Sequence, residues 1–196
     1  MTNRRSRKKP EVPWRPTREQ LAAARAGTVR DVIDDGLDVL FVGINPGLYS
    51  AAIGHHFGRP GNRFWPALHA GGFTPRVISP FEEAELLEYN LGITNIVARP
   101  TAMADELTRA ELELGAKRLA RKARRYRPRF VAILGLTSYR AGFGHPRAQL
   151  GRQPEKLADA TVWLLPNPSG LNAHHQPADL ARMFKQLRRE VARERE

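Results

Sequence analysis

With 196 residues, 41% of them hydrophobic, the chain is long enough to bury one α/β core. Cysteine is absent, which excludes disulfides, thiolate nucleophiles, cysteine-ligated zinc and cysteine-ligated iron–sulfur clusters and fits a reducing cytoplasm. The formal net charge of +12 points to a polyanionic partner, while no apolar run approaches the roughly 20 residues of a membrane span and no signal-peptide core is visible.

Residues 1–18 carry seven basic side chains and three prolines with almost nothing to bury, and are expected to form a disordered basic arm. Residues 19–196 are expected to fold as one domain. Thr17 can cap a helix running to about Ala26, and Asp38-Val39-Leu40-Phe41-Val42 reads as a buried strand. Further strands are expected at Leu91 to Val97, Arg129 to Gly135 and Thr161 to Asn167. Between them, helices are expected at Arg63 to Ala70, Pro80 to Tyr89, Thr108 to Tyr126, Ser138 to Gly142 and Pro177 to Arg193. The last is amphipathic, with Leu180, Met183, Phe184, Leu187 and Val191 on one face. This alternation predicts a mainly parallel sheet between helical layers. A basic run from Lys117 to Arg129 contains eight Lys or Arg and no acid; a solvated helix face and a direct DNA contact both account for it.

Two Asn-Pro turns stand out, Gly43-Ile44-Asn45-Pro46-Gly47 and Asn167-Pro168-Ser169-Gly170-Leu171, each closing an apolar strand. If the strands are parallel, both turns reach the carboxyl edge of one sheet, where α/β proteins bind ligands. Turn propensity alone explains either motif singly; the pair suggests a shared cleft. Asparagine can orient a water or read a base edge but is not a strong base, so the chemistry is restricted to good leaving groups.

Gly43-Ile44-Asn45-Pro46-Gly47, then Phe57 and Pro60-x-Asn62-Arg63-Phe64-Trp65, then Arg99-Pro100-Thr101, then Asn167-Pro168-Ser169-Gly170-Leu171, closely resemble the bacterial mismatch-specific uracil/thymine DNA glycosylases. The likeness runs in order from about Asp31 to Arg189. It implies a three-layer α/β/α sandwich around a short, mainly parallel sheet and hydrolysis of the N-glycosidic bond of a flipped base in double-stranded DNA with U·G or related lesions. By the resemblance, Asn45 positions the water, Ile44, Gly47 and neighbouring backbone hold the base, and Phe57 stacks on it. Ser50 matches the position near the pyrimidine C5 edge, although a helix-start hydroxyl is an equally good reading. Asn167, Ser169, Gly170, Leu171 and Asn172 fall in the DNA-contacting loop, with Leu171 as the wedge that fills the vacated stack.

The chain departs from the family pattern at three places. Asn95 stands where a familiar relative has Lys, Asn172-Ala173-His174-His175 replaces the usual Ser-Arg after the wedge, and Asp105 stands where Asn is expected. A carboxylate at 105 would assist the sugar cation or the water, or simply cap the next helix. His55-His56 and His174-His175 invite a metal reading, but adjacent histidines point apart and no metal is expected. Neither is a cofactor. The reading is a monomeric, monofunctional glycosylase in the cytoplasm, associated with the nucleoid. Its rivals are a protein that flips and holds damaged bases without turnover, and a small-molecule nucleotide-binding α/β protein.

Overall fold

The computed structural model describes residues 15–170 and 175–194. The expected basic arm therefore lies outside the described residues up to position 14, as do Leu171, Asn172 and His174. Arg18 opens the first helix, α1 (Arg18–Ala23), which Thr17 caps by accepting from the Gln20 N–H in a capping box.

A five-stranded sheet in the order β2-β1-β3-β5-β4 forms the centre of the molecule. The strands are β1 (Val39–Gly43), β2 (Leu91–Asn95), β3 (Phe130–Leu134), β4 (Gly151–Leu157) and β5 (Ala160–Leu165). All neighbours pair in parallel except β4, which runs antiparallel to β5 at one edge. The expected strand to Val97 ends formally at Asn95, but its ladder continues through Ile96 N–H to Gly43 O and Val97 N–H to Ile44 O, both 2.9 Å.

The apolar strands bury both faces, as a parallel sheet between helical layers requires. Val39 and Phe41 pack on one side with Phe64, Trp65, Phe184 and Leu187, from α3 (Phe64–Ala70) and α6 (Pro177–Arg193). Leu40 and Val42 pack on the other with Leu112, Leu119 and Tyr139, from α4 (Arg109–Tyr126) and α5 (Leu136–Phe143). The result is the expected α/β/α sandwich. On α6 the expected apolar face is inward: Leu180, Phe184 and Leu187 are fully buried, Val191 nearly so, and Met183 packs against the cluster.

The expected helix at Pro80–Tyr89 is present and is a 3-10 helix. Two elements were not expected: Leu48–Ile53 forms the short helix α2, and β4 has no precedent in the apolar pattern. Strand β4 reads Arg152-Gln153-Pro154-Glu155-Lys156 along its middle and buries only Gln153. Charge and proline belong on an edge strand, where they block pairing with another chain.

The basic run divides. Lys122 pairs with Asp31, Arg125 with Asp35 at 3.0 Å and Arg129 with Asp38 at 2.9 Å, whereas Lys117, Arg118, Arg121 and Arg124 are exposed along α4. Because α4 leads into the amino end of β3, these charges run away from the edge that carries the two turns. That placement favours the solvated-face reading. Among the described residues no helix is long and apolar enough to cross a membrane.

Candidate active site

Strands β1, β2, β3 and β5 share one direction, so the residues that follow them converge at one edge. There a cavity of about 340 Å3 is lined by both turns, through Ile44, Asn45, Gly47, Asn167 and Ser169, and by Ser50, His56, Phe57, Asn95 and Thr101. That volume lies within the range of small-ligand pockets.

The first turn is held against the segment after β2. Thr101 N–H donates to Pro46 O and Leu48 N–H to Thr101 O, both 3.1 Å, and Gly47 bridges Thr101 in parallel. Against this backbone the Asn45 amide is clamped. Its Nδ2 donates to Arg99 O at 2.9 Å and to Thr101 Oγ1 at 2.7 Å. Both amide hydrogens are thereby used, and Oδ1 is left as the acceptor for a water. Arg99 is anchored in turn by Glu111 in the first turn of α4, Nε to Oε1 at 2.7 Å and a second contact to Oε2 at 3.1 Å. The Arg99 hydrogen bond, followed by those from Thr108, pushes the Glu111 carboxyl down to about 2, so this fork stays ionised through neutral pH.

Phe57 takes a left-handed backbone, φ 51, which is uncommon for a bulky residue. Its ring stacks on Phe64 with centroids 4.1 Å apart and planes at 24°, so the core fixes one face while the ring lines the cavity. Ser50 is buried on α2 and accepts from Gly58 N–H at 3.1 Å, tying down the loop that carries Phe57; Gly47, not Ser50, caps that helix. The Ile44 carbonyl accepts from Val97 N–H at 2.9 Å, and Ile44 lines both this cavity and a second one.

The second turn is fixed through Arg63, whose NH2 and NH1 donate to Ser169 O and His175 O, each at 2.6 Å. One guanidinium thus grips both ends of the loop that contains Leu171. Asn167 Oδ1 accepts from Ser169 N–H at 3.0 Å. A β-carbon on Gly170 would come within 2.6 Å of Gly61 O, so the two loops touch through glycine backbone.

Asp105 does not join this set. It lies in the 3-10 turn Ala104–Glu106, is exposed, and lines the neighbouring cavity beyond Ile44 and Ala104. Nor does it cap the next helix, because Thr108 does so by accepting from Glu111 N–H. His55 and His56 do not pair around an ion: Glu83 takes His55 Nδ1 at 2.9 Å and the His56 N–H at 2.8 Å. Among the described residues no group of three metal-binding side chains comes together.

Asn95, noted in the sequence only as a departure from a relative's Lys, and His56, noted only in a histidine pair, both belong to the site. Asn95 Nδ2 lies 3.3 Å from His56 Nδ1 and both line the cavity. An amide at the carboxyl end of β2 was the available signal. Its partner, 39 positions away, was not.

A model described as the Uracil DNA glycosylase superfamily matches residues 30–191. The match contains every strand, the clamped Asn45, the Phe57 platform and the Arg63-held loop, and the members of that superfamily are glycosylase hydrolases that act on DNA. The chain belongs to the uracil DNA glycosylase superfamily.

Proposed function

We propose that the protein is a monomeric, monofunctional DNA glycosylase of the mismatch-specific kind. It removes uracil, and other altered pyrimidines such as mismatched thymine or ethenocytosine, from double-stranded DNA during base excision repair, in the cytoplasm at the nucleoid and without a cofactor. The observation that carries this reading is the orientation of Asn45, whose N–H groups are both engaged, leaving Oδ1 as its acceptor in the cavity that Phe57 also lines.

With a flipped base stacked on Phe57, the bond between sugar C1′ and base N1 breaks and its electron pair leaves with the base. Uracil carries that charge over its ring and carbonyl oxygens, and the sugar becomes oxocarbenium-like. A water held by Asn45 Oδ1 then adds to C1′ and loses its proton to solvent. Positioning and dipoles suffice where the leaving group is this good. Asn95 stands at the cavity's inner edge to meet the base, and no lysine in either turn offers an amine for a lyase step.

Labelled duplexes carrying U·G, U·A and T·G, and single-stranded U, followed by alkaline cleavage, test the assignment. U·G should be cut first among them. Duplex binding with no released base from any substrate would instead favour a protein that holds flipped bases.

A further inference from the structure

We propose that His56 is a positioning residue that fixes which way the Asn95 amide faces and thereby which base edge the pocket accepts, an inference that rests on the base-excision reading of this cavity. His56 is 2% exposed and its Nε2 lies 2.9 Å from Arg30 O. A carbonyl oxygen only accepts, so Nε2 carries the hydrogen. In a neutral ring the Nδ1 lone pair is then left needing a donor. Asn95 Nδ2, at 3.3 Å, is that donor.

The consequence falls on Asn95 Oδ1. It lies against Gly43 so closely that a β-carbon there would collide with it, and the same β-carbon would be 3.3 Å from Phe57 Cζ. The acceptor is thus directed at the floor of the cavity, next to the aromatic platform, with one Nδ2 hydrogen still to spare. With the base held in one place by stacking on Phe57, an imide sets its N–H opposite Oδ1 and its carbonyl opposite Nδ2, whereas the amidine edge of cytosine in the same place sets a lone pair opposite Oδ1 and an N–H opposite Nδ2.

Several charged groups face the imidazole. Glu83 approaches from the Pro80–Tyr89 helix, where it also pairs with His55; Asp31 lies in the segment before β1, and Lys122 on α4. Burial outweighs the two carboxylates and lowers the His56 pKa below its ordinary value, with Lys122 acting in the same direction. The ring is therefore neutral where the amide must point this way.

Long-range 1H–15N correlation spectra of the histidine-labelled protein at pH 7.5 should show His56 as the neutral Nε2–H tautomer. Asn95→Asp, which puts a carboxylate against Nδ1, should convert it to imidazolium. In single-turnover excision from a U·G duplex, His56→Leu should lose about tenfold, as expected for a misdirected buried hydrogen bond, while His56→Asn, which keeps an acceptor near the Nδ1 position, should recover most of it. An Nδ1–H tautomer, a His56 signal indifferent to Asn95→Asp, or equal loss in the Leu and Asn variants would overturn the proposal. If His56→Leu fails to fold, the spectra decide alone. The expected tautomer in a wild-type protein that releases no uracil would sink the excision reading and leave the His56–Asn95 arrangement standing.

Discussion

Asn45 Nδ2 donates to Thr101 Oγ1 at 2.7 Å, across 56 positions of sequence, and this bond decides what Asn45 offers to the cavity. A free asparagine amide turns either end outward. Clamped by Thr101 and Arg99 O, it turns only Oδ1 outward, the end that accepts from water.

Thr101→Val keeps the buried shape and removes the acceptor. One Asn45 N–H then competes for the water, and excision should fall about tenfold with no change in duplex affinity. Single-turnover rates beside binding isotherms check this; unchanged excision would mean that Arg99 O alone orients the amide.

Arg63→Ala should free both ends of the 169–175 loop, since one guanidinium holds Ser169 O and His175 O. Flipping should weaken as it would on losing the Leu171 wedge in Leu171→Ala, by about 1 to 3 kcal/mol when unstacking is no longer offset. Fluorescence of 2-aminopurine beside the lesion reports it. A normal signal in Arg63→Ala would show that the loop needs no staple.

Stability should fall on the acid side through His56. Its folded pKa is lowered, chiefly by burial, so the unfolded chain binds the proton more readily. The neutral ring costs nothing above the usual imidazole value of about 6.5; below it, stability is lost as pH falls, levelling off under the lowered folded value. Glu111, held near 2, contributes stability in a separate window, lost only as pH falls from the ordinary carboxylate range towards 2. Thermal midpoints between pH 8 and pH 5 should therefore drop more steeply in wild type than in His56→Asn. Parallel curves would contradict the burial argument.

Asp105→Asn should leave excision and thermal stability unchanged, because Asp105 lines the neighbouring cavity, is exposed and caps no helix. A severalfold loss of excision between pH 5 and pH 8 would bring the residue into the mechanism.

Much of this was legible in the chain. Val39-Leu40-Phe41-Val42 and Phe130-Val131-Ala132-Ile133-Leu134 declare buried strands by composition, and the paired Asn-Pro turns mark their carboxyl ends. Strand β4 was hidden because an exposed edge asks nothing of its side chains but polarity. Helix α2 was hidden because six residues capped by Gly47 give no period to read. Within the site, Asn45 and Phe57 announced themselves by motif, but the partners that orient their neighbours are tertiary. Thr101, Arg63 and His56 act on residues between 39 and 112 positions away, and no local pattern encodes such a pairing.

The central claim is that Asn45 holds the attacking water while other groups hold the base. Single-turnover release of uracil from a U·G duplex by wild type and Asn45→Ala, with binding to the same duplex measured in parallel, tests it most directly. The account predicts base release by wild type, a loss of about 10²-fold or more in Asn45→Ala, and affinity unchanged. Near-normal excision by Asn45→Ala would contradict it.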